Sequence, residues 1–251
     1  MHQTTVVLPT YNEAENLPLI VEELLVLPLH NLRVLIVDDN SPDGTGELAD
    51  HLTAQYPKLV TVIHRSQKAG LGPAYIAGFK AAVKQGADYI VQMDADFSHQ
   101  PKYLLQMIAA AEYSDLVIGS RYVNGGSVDK SWGIFRKALS WFANRVYVPT
   151  LLRIPVRDTT AGYRLWRQET LLGIDLDKVR SNGYAFLIEL LYLTYKAGFR
   201  ITEIPIYFPD RQKGRSKMDF KVASEAVFRV WEVLYRSHRS NSRKRPTENN
   251  Y

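Results

Sequence analysis

Short apolar runs alternate with amphipathic stretches along the first 120 residues. Five runs rich in Val, Ile and Leu predict β-strands at Thr4–Leu8, Arg33–Val37, Leu59–Ile63, Tyr89–Met93 and Leu116–Gly119. Four segments between them predict α-helices at Glu13–Leu27, Thr45–Gln55, Pro73–Gln85 and Pro101–Glu112. Continuous apolar strands are typical of parallel strands that are buried on both faces. The alternation therefore predicts an α/β fold, with an open, mostly parallel sheet flanked by helices and joined by right-handed crossovers.

The second half of the chain interleaves aromatic and basic residues. Residues 131–154 predict an interfacial helix region, in which aromatic side chains lie beside cations: Trp132, Phe135, Trp141 and Phe142 beside Arg136, Lys137 and Arg145. Residues 218–237 predict a C-terminal amphipathic helix, whose apolar stripe fits core packing equally well. Between these regions, Ile201–Phe208 predicts a strand, and Pro205 indicates a sheet edge or a bulge.

Length and charge set the domain organisation that we expect. A chain of 251 residues fits one α/β domain, which we place at residues 1–237, followed by a disordered basic tail at 238–251. The segment Arg236–Tyr251 carries +4 of the net charge of +5. The body is therefore nearly neutral, which argues against a nucleic-acid-binding face.

Several classes of protein are excluded by residues that the sequence lacks. There is no cysteine, which excludes disulfides, thiolate metal sites and cysteine nucleophiles and fits a reducing compartment. No run of 18–20 apolar residues predicts a membrane span, and the chain leads directly into a strand, so we expect no signal peptide. A P-loop, a G-x-S-x-G elbow and an H-E-x-x-H motif are missing. Gly70-Leu71-Gly72 begins like a dinucleotide fingerprint, but Tyr75 replaces the third glycine and the third strand precedes it.

Polar clusters follow four of the predicted strands. They are Pro9–Glu13, Asp38–Gly44, Asp94–Asp96 and Gly119–Arg121. Ligands of open α/β sheets bind beyond the carboxyl ends of the strands. Solvated loops would explain any one cluster, but four at one sheet edge favour a binding site.

Asp94-Ala95-Asp96 is the cluster that indicates a metal. Residues i and i+2 of a strand face the same way, so we expect both carboxylates on one side. Carboxylate oxygens suit Mg²⁺ or Mn²⁺, which complete their coordination with ligand phosphates. A bare D-x-D is a weak signal, but its position after a buried strand strengthens it. Arg121 and Arg211 are candidate phosphate partners.

The motifs resemble those of a known enzyme family. Val6–Glu13, Val37–Thr45, Gly70–Gly72 and Asp94–Asp96 resemble the inverting GT-A glycosyltransferases of family two. Later segments resemble the dolichol-phosphate mannose synthases within it: Gly119–Tyr122, Asp158–Arg164, Gly183–Phe186, Glu203–Ile206 and Arg211–Lys217. The resemblance runs in order from about residue 3 to 235. The early motifs are shared by many sugar transferases, and the later ones are the specific part.

The resemblance implies a GT-A fold and a reaction. Mannose would pass from GDP-mannose to a dolichyl or polyprenyl monophosphate, with inversion and with Mg²⁺ or Mn²⁺. The enzyme would act peripherally on the cytosolic face of a membrane, by its own attachment or through a small membrane-anchoring subunit. Two alternatives stay open at this point: transfer of glucose or another hexose from a different nucleotide, and a membrane-surface nucleotide-sugar binding module.

The resemblance also implies site residues. The family's nucleotide-sugar contacts map onto Pro9, Tyr11, Glu13, Val37, Asp39, Asp94, Ala95, Asp96, Arg121, Arg211 and Lys217. We assign the metal to Asp94 and Asp96, catalysis to Asp96, Arg121 and Arg211, and the acceptor phosphate to Arg121 and Arg136. A solvated helix charge is the alternative for Arg136. Ser98 stands where many relatives carry a metal-binding Gln. The Lys213–Lys217 loop would be a lid over the donor, or else a mobile surface loop.

Overall fold

A computed structural model of the chain describes residues 2–210, 230–232 and 234–235. The chain divides into two compact units, residues 1–216 and residues 217–251, and every element named below belongs to the first. In the second, residues 230–232 and 234–235 are helical. Several predictions lie outside the described residues: the roles of Arg211 and Lys217, the Lys213–Lys217 lid, most of the 218–237 helix, and the tail. The predicted boundary at residue 237 therefore stays a prediction.

A seven-stranded sheet forms the centre of the first unit. Its strands run in the order β3-β2-β1-β4-β7-β5-β8. They are β1 (Thr4–Thr10), β2 (Leu32–Asp38), β3 (Val60–His64), β4 (Tyr89–Gln92), β5 (Leu116–Ser120), β7 (Arg164–Arg167) and β8 (Ile201–Pro205). The pairs are parallel except for β7, which lies antiparallel between β4 and β5. A separate parallel pair joins β6 (Ser127–Val128) to β9 (Tyr207–Phe208).

Helices accompany the strands. They are α1 (Leu17–Leu25), α2 (Thr45–Gln55), α3 (Leu71–Lys84), α4 (Leu104–Ala111), α5 (Ile134–Phe142), α6 (Val148–Leu152), α7 (Gln168–Leu172) and α8 (Gly183–Lys196). A π-helical turn at Ala143–Tyr147 joins α5 to α6. One core contains the apolar faces of α1 and α4 packed with alternate strand residues such as Val6, Leu8 and Val91.

Helix α3 packs on the opposite face of the sheet at very short range. A Cβ atom on Gly78 would lie 2.3 Å from Cγ1 of Val7 on β1, so this position needs a residue without a side chain. Further along α3, Phe79 contacts Trp166 of β7, and Tyr75 stacks on Phe186 of α8. The close approach of α3 to β1 holds the first turn of α3 near the carboxyl ends of the strands.

The sequence pattern predicted most of this architecture. Helix α2 has the predicted bounds, and the five predicted strands form within two residues of their expected ends. The predicted strand Ile201–Phe208 is instead two strands, because β8 ends at Pro205 and Ile206 bonds to Ser120 before β9 begins. Strand β8 is an edge strand, as Pro205 predicted. Strand β7 was not predicted.

Candidate active site

Asp38, at the carboxyl end of β2, is held by its neighbours on every side. Thr10 ends β1 and pairs with Asp38 in register. The Thr10 hydroxyl donates to Oδ1 of Asp38 at 3.1 Å, and Ser41 donates its hydroxyl to Oδ1 at 2.6 Å and its amide to Oδ2 at 3.1 Å. Asp38 is buried. It therefore fixes the two loops to each other and is a structural residue of this edge.

The predicted nucleotide contacts converge at the same edge. Pro9 and Val37 are register partners on β1 and β2, and Val37 is fully buried. Asp39 is buried, and its Oδ1 lies 2.5 Å from Nη1 of Arg65. Tyr11 presents its ring to Lys68, whose Nζ lies 3.6 Å from the ring centroid. The edge therefore holds an aromatic ring, a carboxylate and two cations.

Glu13 connects this edge to α1 and α2. Its amide donates to the Thr45 hydroxyl at 3.0 Å, and its Oε2 accepts from Nδ2 of Asn16 at 2.8 Å. Beside the start of α2, Asp43 accepts from the amide and the hydroxyl of Thr45. Burial alone would raise the pKa of Asp43, but hydrogen bonds from Thr45 and Ala14 outweigh it and hold that pKa below its usual value.

Asp94 and Asp96 lie in the loop after β4. The strand ends at Gln92, so the strand alternation that we used to predict their common side does not reach them. Asp96 is buried and accepts two hydrogen bonds at Oδ1 from Ser98, 2.6 Å from the hydroxyl and 3.1 Å from the amide. The Asp94 side chain is 30% exposed. Ala95 between them is buried.

Two buried residues hold Asp94 in place. The hydroxyl of Tyr75 on α3 donates to Oδ1 of Asp94 at 2.7 Å, and the Asp94 amide donates to Nδ1 of His99 at 2.9 Å. Burial, followed by the charge of Asp94, raises the pKa of Tyr75 well above its usual value, and Asp96 adds to the effect. Tyr75 is therefore a neutral donor at any physiological pH, and the charges of both Asp94 and Asp96 favour this neutral form.

Arg121, after β5, is committed to a buried ion pair. Its Nε and Nη2 atoms bond to the two oxygens of Asp158 at 2.8 and 2.6 Å, and its amide bonds to Asp158 as well. Nη2 also donates to the Thr160 hydroxyl at 2.8 Å. Burial would lower the pKa of Arg121, but Asp158 outweighs it and raises that pKa above its usual value. Arg121 is thus a permanent cation that is anchored to the 158–160 loop.

The 158–160 loop is fixed from two sides. Glu203 on β8 accepts from the amides of Arg157 and Asp158 at 2.8 and 2.9 Å. Burial raises the pKa of Glu203. Arg164 on β7 is fully buried and donates to the carbonyls of Thr159, Ala161 and Leu187, and burial lowers its pKa to about 9.

Asn144, in the π-helical turn, ties this loop to α5. Its Oδ1 accepts from the Thr159 hydroxyl at 2.9 Å and from the Thr160 amide at 3.0 Å. Its Nδ2 donates to the Ser140 carbonyl. Single π-turns inside α-helices occur frequently at functional sites. The segment that was predicted to be interfacial is therefore bonded directly to the loop that holds Arg121.

Arg136 and Trp132 form a stacked pair beside this region. The Arg136 guanidinium lies 3.6 Å from the Trp132 ring centroid, and Nη1 bonds to Asp210 at 3.3 Å. Nε of Arg136 and Nε1 of Trp132 are buried without a hydrogen-bond partner. Trp132 is 4% exposed, which differs from the expectation that it lies in the exposed aromatic set.

The Phe208 ring connects the two sides of the candidate site. It makes edge contacts with His99 at 5.8 Å and with Trp132 at 5.9 Å between ring centroids. The Arg121 guanidinium lies 5.3 Å from the same ring. Phe208 therefore lies between Arg121 and the loop with the two aspartates, and Trp132 connects this ring to Arg136.

The outer side of α5 and of the π-turn is apolar and exposed. Ile134 is 88% exposed and Phe135 is 73% exposed, and three further apolar side chains accompany them: Trp141, Phe142 and Val146. Arg145 and Arg153 are exposed nearby in the sequence. We call these five apolar residues the α5 face. Across the part of the chain that the structure describes, no helix is both long and apolar enough to cross a bilayer.

The oxygen ligands at Asp94 and Asp96 suit a hard divalent cation, but they form an incomplete set. Within the described residues, no cluster of three or more His, Asp or Glu side chains could hold a metal alone. Oδ2 of Asp94 points toward Gly162, where an added Cβ would lie 3.7 Å away. Two carboxylates fit an Mg²⁺ or Mn²⁺ ion that takes its other ligands from water and a diphosphate. Ser98, at the position where the resemblance implies a Gln in many relatives, donates its amide and its hydroxyl to Asp96.

Some residues that hold the site residues in place were not predicted from the sequence. Tyr75, His99, Asn144 and Asp158 were not assigned site roles, yet each holds a predicted site residue or its loop. The position of Asp158 at the start of the motif Asp158–Arg164, which resembles the family, was a usable signal. The pairing of Tyr75 with Asp94 was not, because it depends on how α3 packs against the sheet.

Comparisons with known proteins identify the family of the chain. The model of glycosyl transferase family 2 matches residues 5–171. The chain is 47% identical to the undecaprenyl-phosphate mannosyltransferase of Micrococcus luteus, over 89% of this chain and 90% of that protein. It is also 47% identical to the polyprenol monophosphomannose synthase of Mycolicibacterium smegmatis, over 92% and 86%. A dolichol-phosphate mannosyltransferase of Pyrococcus furiosus is 36% identical, over 92% of this chain and 64% of that protein.

Solved structures share the fold at low identity. A glucosyl-3-phosphoglycerate synthase of Mycobacterium tuberculosis, in complex with Mn²⁺, UDP-glucose and phosphoglyceric acid, has a TM-score of 0.66 at 16% identity, over 93% of this chain and 80% of that one. The mannosyl-3-phosphoglycerate synthase of Rubrobacter xylanophilus has a TM-score of 0.64 at 20% identity, over 99% and 77%. At this identity the likeness establishes the fold class alone, which is the α/β architecture predicted from the sequence.

Proposed function

The chain belongs to glycosyl transferase family 2, and we propose that it transfers mannose from GDP-mannose to a polyprenyl monophosphate such as dolichyl phosphate. The products are polyprenyl-phosphate mannose, with inverted configuration at the sugar, and GDP. The observation that carries the proposal is the 47% identity to two polyprenyl-phosphate mannosyltransferases over nearly the full length of this chain and of both relatives. The site geometry supports it in three places.

The first support is on the donor side. Tyr11, Glu13 and Asp39 lie at the β1–β2 edge, and Asp94 and Asp96 follow β4 at the same end of the sheet. The nucleotide occupies the first edge, and its diphosphate reaches the second. When bound, Mg²⁺ or Mn²⁺ at Asp94 and Asp96 supplies Lewis-acid stabilisation of the leaving diphosphate. Arg211 and Lys217, outside the described residues, are the proposed cations of a closing loop.

The second support is on the acceptor side. Arg121 contacts the Phe208 ring, Trp132 connects that ring to Arg136, and the Arg136 side chain is 27% exposed, so an external phosphate can reach it. Arg136 is therefore the direct ligand that we favour. Two side-chain donors of Arg121 are bonded to Asp158, so Arg121 would act on the phosphate mainly through its fixed positive charge. A phosphate monoester is already anionic, so the attack needs no strong general base.

The third support is the α5 face. A lipid-linked acceptor must be reached at a bilayer surface, and an apolar patch with flanking cations fits the boundary between headgroups and acyl chains. The exposure of Phe135, Trp141 and Phe142 agrees with the interfacial prediction, whereas Trp132 serves the Arg136 stack instead. We propose peripheral attachment through the α5 face, alone or together with a small membrane-anchoring subunit.

The direct test is a product assay. The purified protein is incubated with a short polyprenyl phosphate and Mn²⁺ or Mg²⁺, in separate reactions with GDP-mannose and UDP-glucose. Mass spectrometry identifies the lipid product, and NMR of the anomeric proton assigns its configuration. We expect mannolipid from GDP-mannose alone, with inversion. Formation of a glucolipid from UDP-glucose would show that the protein transfers another hexose instead of mannose. Binding of the nucleotide sugar without any lipid product would favour a binding module.

Matched variants connect the assay to the site. Asp96→Asn removes a carboxylate of the proposed metal pair, and Asp177→Asn removes an exposed carboxylate that pairs with Lys80 on the surface. We expect product formation to depend on Asp96 and not on Asp177. Equal activity of the two variants would contradict the proposed site even if the mannolipid is made.

A further inference from the structure

Tyr75 lies outside every motif that the function uses, yet it touches the proposed metal site. It belongs to the first turns of α3 and is fully buried. Its ring stacks on Phe79 and on Phe186, the latter with the two ring planes within 1° of parallel. A fully buried tyrosine that packs against two aromatic rings has little freedom to move its hydroxyl, so the direction of that hydroxyl is set by the packing of α3 against α8.

The hydroxyl is aimed at one oxygen of one carboxylate. It donates to Oδ1 of Asp94 at 2.7 Å, a normal length for an O–H···O hydrogen bond. The Asp94 amide is fixed separately, because it donates to Nδ1 of the buried His99. The backbone and one carboxylate oxygen of Asp94 are thus both held by the protein before any ligand arrives.

The other oxygen of Asp94 has different surroundings. Oδ2 lies 4.0 Å from Nδ1 of His99, beyond hydrogen-bond distance, and it faces Gly162, which has no side chain. With Oδ1 occupied by the Tyr75 hydroxyl, Oδ2 is the oxygen that Asp94 presents as a single-oxygen ligand. Carboxylates that bind metals are commonly oriented in this way by hydrogen bonds from residues that do not touch the metal.

We propose that Tyr75 is a positioning residue that orients Asp94 for binding of the divalent cation and the donor diphosphate, an inference that rests on the proposed function. Tyr75 contacts neither the sugar nor the phosphates in this assignment, and it acts only through Asp94. Removal of its hydroxyl frees Oδ1 and lets the carboxylate rotate. The bound cation then loses a preorganised ligand, while the nucleotide edge at β1 and β2 stays unchanged.

The test compares two single-hydroxyl deletions. Tyr75→Phe removes the donor to Asp94, and Tyr163→Phe removes another buried hydroxyl, which donates to the Gln100 carbonyl instead of to a carboxylate. Mn²⁺ affinity is measured in the presence of GDP by electron paramagnetic resonance of the free ion. Loss of a group that orients a ligand typically costs about 10–100-fold in metal affinity. We expect a loss of about tenfold or more for Tyr75→Phe and little change for Tyr163→Phe.

A second readout separates positioning from general damage. GDP binding in the presence of a chelator depends on the nucleotide edge and should be equal in the wild type and in Tyr75→Phe. Unchanged Mn²⁺ affinity in a folded Tyr75→Phe protein would overturn the inference, as would an equal loss in both variants. If Tyr75→Phe does not fold, Phe186→Leu loosens the stack that aims the hydroxyl; it should weaken Mn²⁺ binding by a smaller factor, and no weakening there would also overturn the inference.

Failure of this inference is distinguishable from failure of the proposed function. If the wild type forms mannolipid and binds Mn²⁺ with GDP while Tyr75→Phe behaves identically, only the role of Tyr75 is wrong. If the wild type itself binds no Mn²⁺ in the presence of GDP, the metal site at Asp94 and Asp96 is wrong, and the inference about Tyr75 is overturned with it.

Discussion

Two carboxylate-rich loops, one after β2 and one after β4, lie at the same edge of the sheet and differ in the partners of their carboxylates. After β2, Asp38 accepts from Thr10 and Ser41, and the charge of Asp39 is met by Arg65. After β4, Asp94 accepts from the neutral hydroxyl of Tyr75, and the Asp94 side chain is 30% exposed. The carboxylates of the first loop are bonded to the protein's own donors and to a cation, whereas the Asp94 side chain is bonded to a neutral hydroxyl and stays partly exposed.

Structural and ligand-binding carboxylates differ in the partner that holds them. A carboxylate paired with a protein cation has little charge left with which to attract a metal. A carboxylate held by a neutral hydroxyl is oriented without being neutralised. Asp158 is a further case of the first kind, because it is fully buried and bonded to Arg121 on both oxygens. Asp38 and Asp158 are therefore residues that hold their loops in place, Asp39 is balanced by Arg65 at the nucleotide edge, and Asp94 is the carboxylate that we propose for the cation.

The largest effect should come from breaking the buried pair. Asp158→Ala leaves the Arg121 guanidinium buried without its partner, which typically costs about 3–5 kcal/mol in the free energy of unfolding. Asp177→Ala breaks an exposed pair with Lys80 and should cost less than about 1 kcal/mol. Denaturant unfolding of both variants measures the difference. Similar small losses would show that the Asp158–Arg121 pair is dispensable to the fold.

The next effect concerns catalysis. Asp96→Asn keeps an oxygen that can accept from Ser98, so the loop should survive, but it removes the charge of the proposed metal ligand. We expect turnover at saturating donor and metal to fall by about 10²–10³-fold, the usual consequence of losing one preorganised electrostatic group. Unfolding should change little. Near-normal turnover would place the metal elsewhere.

Arg65 should have a smaller effect, confined to donor binding. Arg65→Ala removes the cation that balances Asp39 at the nucleotide edge, and hydrogen bonds to charged groups are worth about 1.5–3 kcal/mol. We expect the KM for GDP-mannose to rise by about 10–100-fold, with kcat nearly unchanged. Arg200→Ala is the control, because it breaks an Arg–Asp pair with Asp115 at the opposite edge of the sheet. A matching rise in that control would mean that the effect is general.

The smallest effect should appear at the membrane. Trp141→Ser with Phe142→Ser removes two half-exposed rings of the α5 face and should weaken binding to anionic vesicles by about tenfold, since partial burial of apolar area in lipid contributes on the order of 1 kcal/mol. Activity on a short, water-soluble acceptor should stay the same. Tyr113→Ser with Leu172→Ser, two exposed residues elsewhere, is the matched control. Equal co-sedimentation of both double variants would remove the α5 face as the main anchor.

Local pattern predicted much of the architecture. The apolar runs placed β1 to β5, and the polar strand ends placed Asp39, Asp94 and Arg121 at one edge, because parallel strands end together. Strand β7 escaped prediction because it is four residues long and contains Arg164, a cation whose burial depends on three backbone carbonyls from two other segments. No periodicity reveals such partners.

The finer details of the site depend on packing that sequence spacing does not show. Asp94 and Asp96 were expected to share a side by strand alternation, but β4 ends at Gln92 and their positions are set by Tyr75 and Ser98. Trp132 was expected among the exposed aromatics, yet it stacks under Arg136. Both differences arise where side chains from distant segments meet, which one sequence alone does not specify.

The most direct test of the comparison is a Mn²⁺ titration in the presence of GDP, with one aspartate changed in each loop. Asp96→Asn alters the loop after β4, and Asp43→Asn alters the loop after β2, where Thr45 and Ala14 already occupy both oxygens. We predict that Asp43→Asn binds Mn²⁺ as the wild type does and that the Mn²⁺ affinity of Asp96→Asn falls by about tenfold or more. Equal affinities in the two variants, or a greater loss in Asp43→Asn, would contradict the assignment of the cation to the β4 loop.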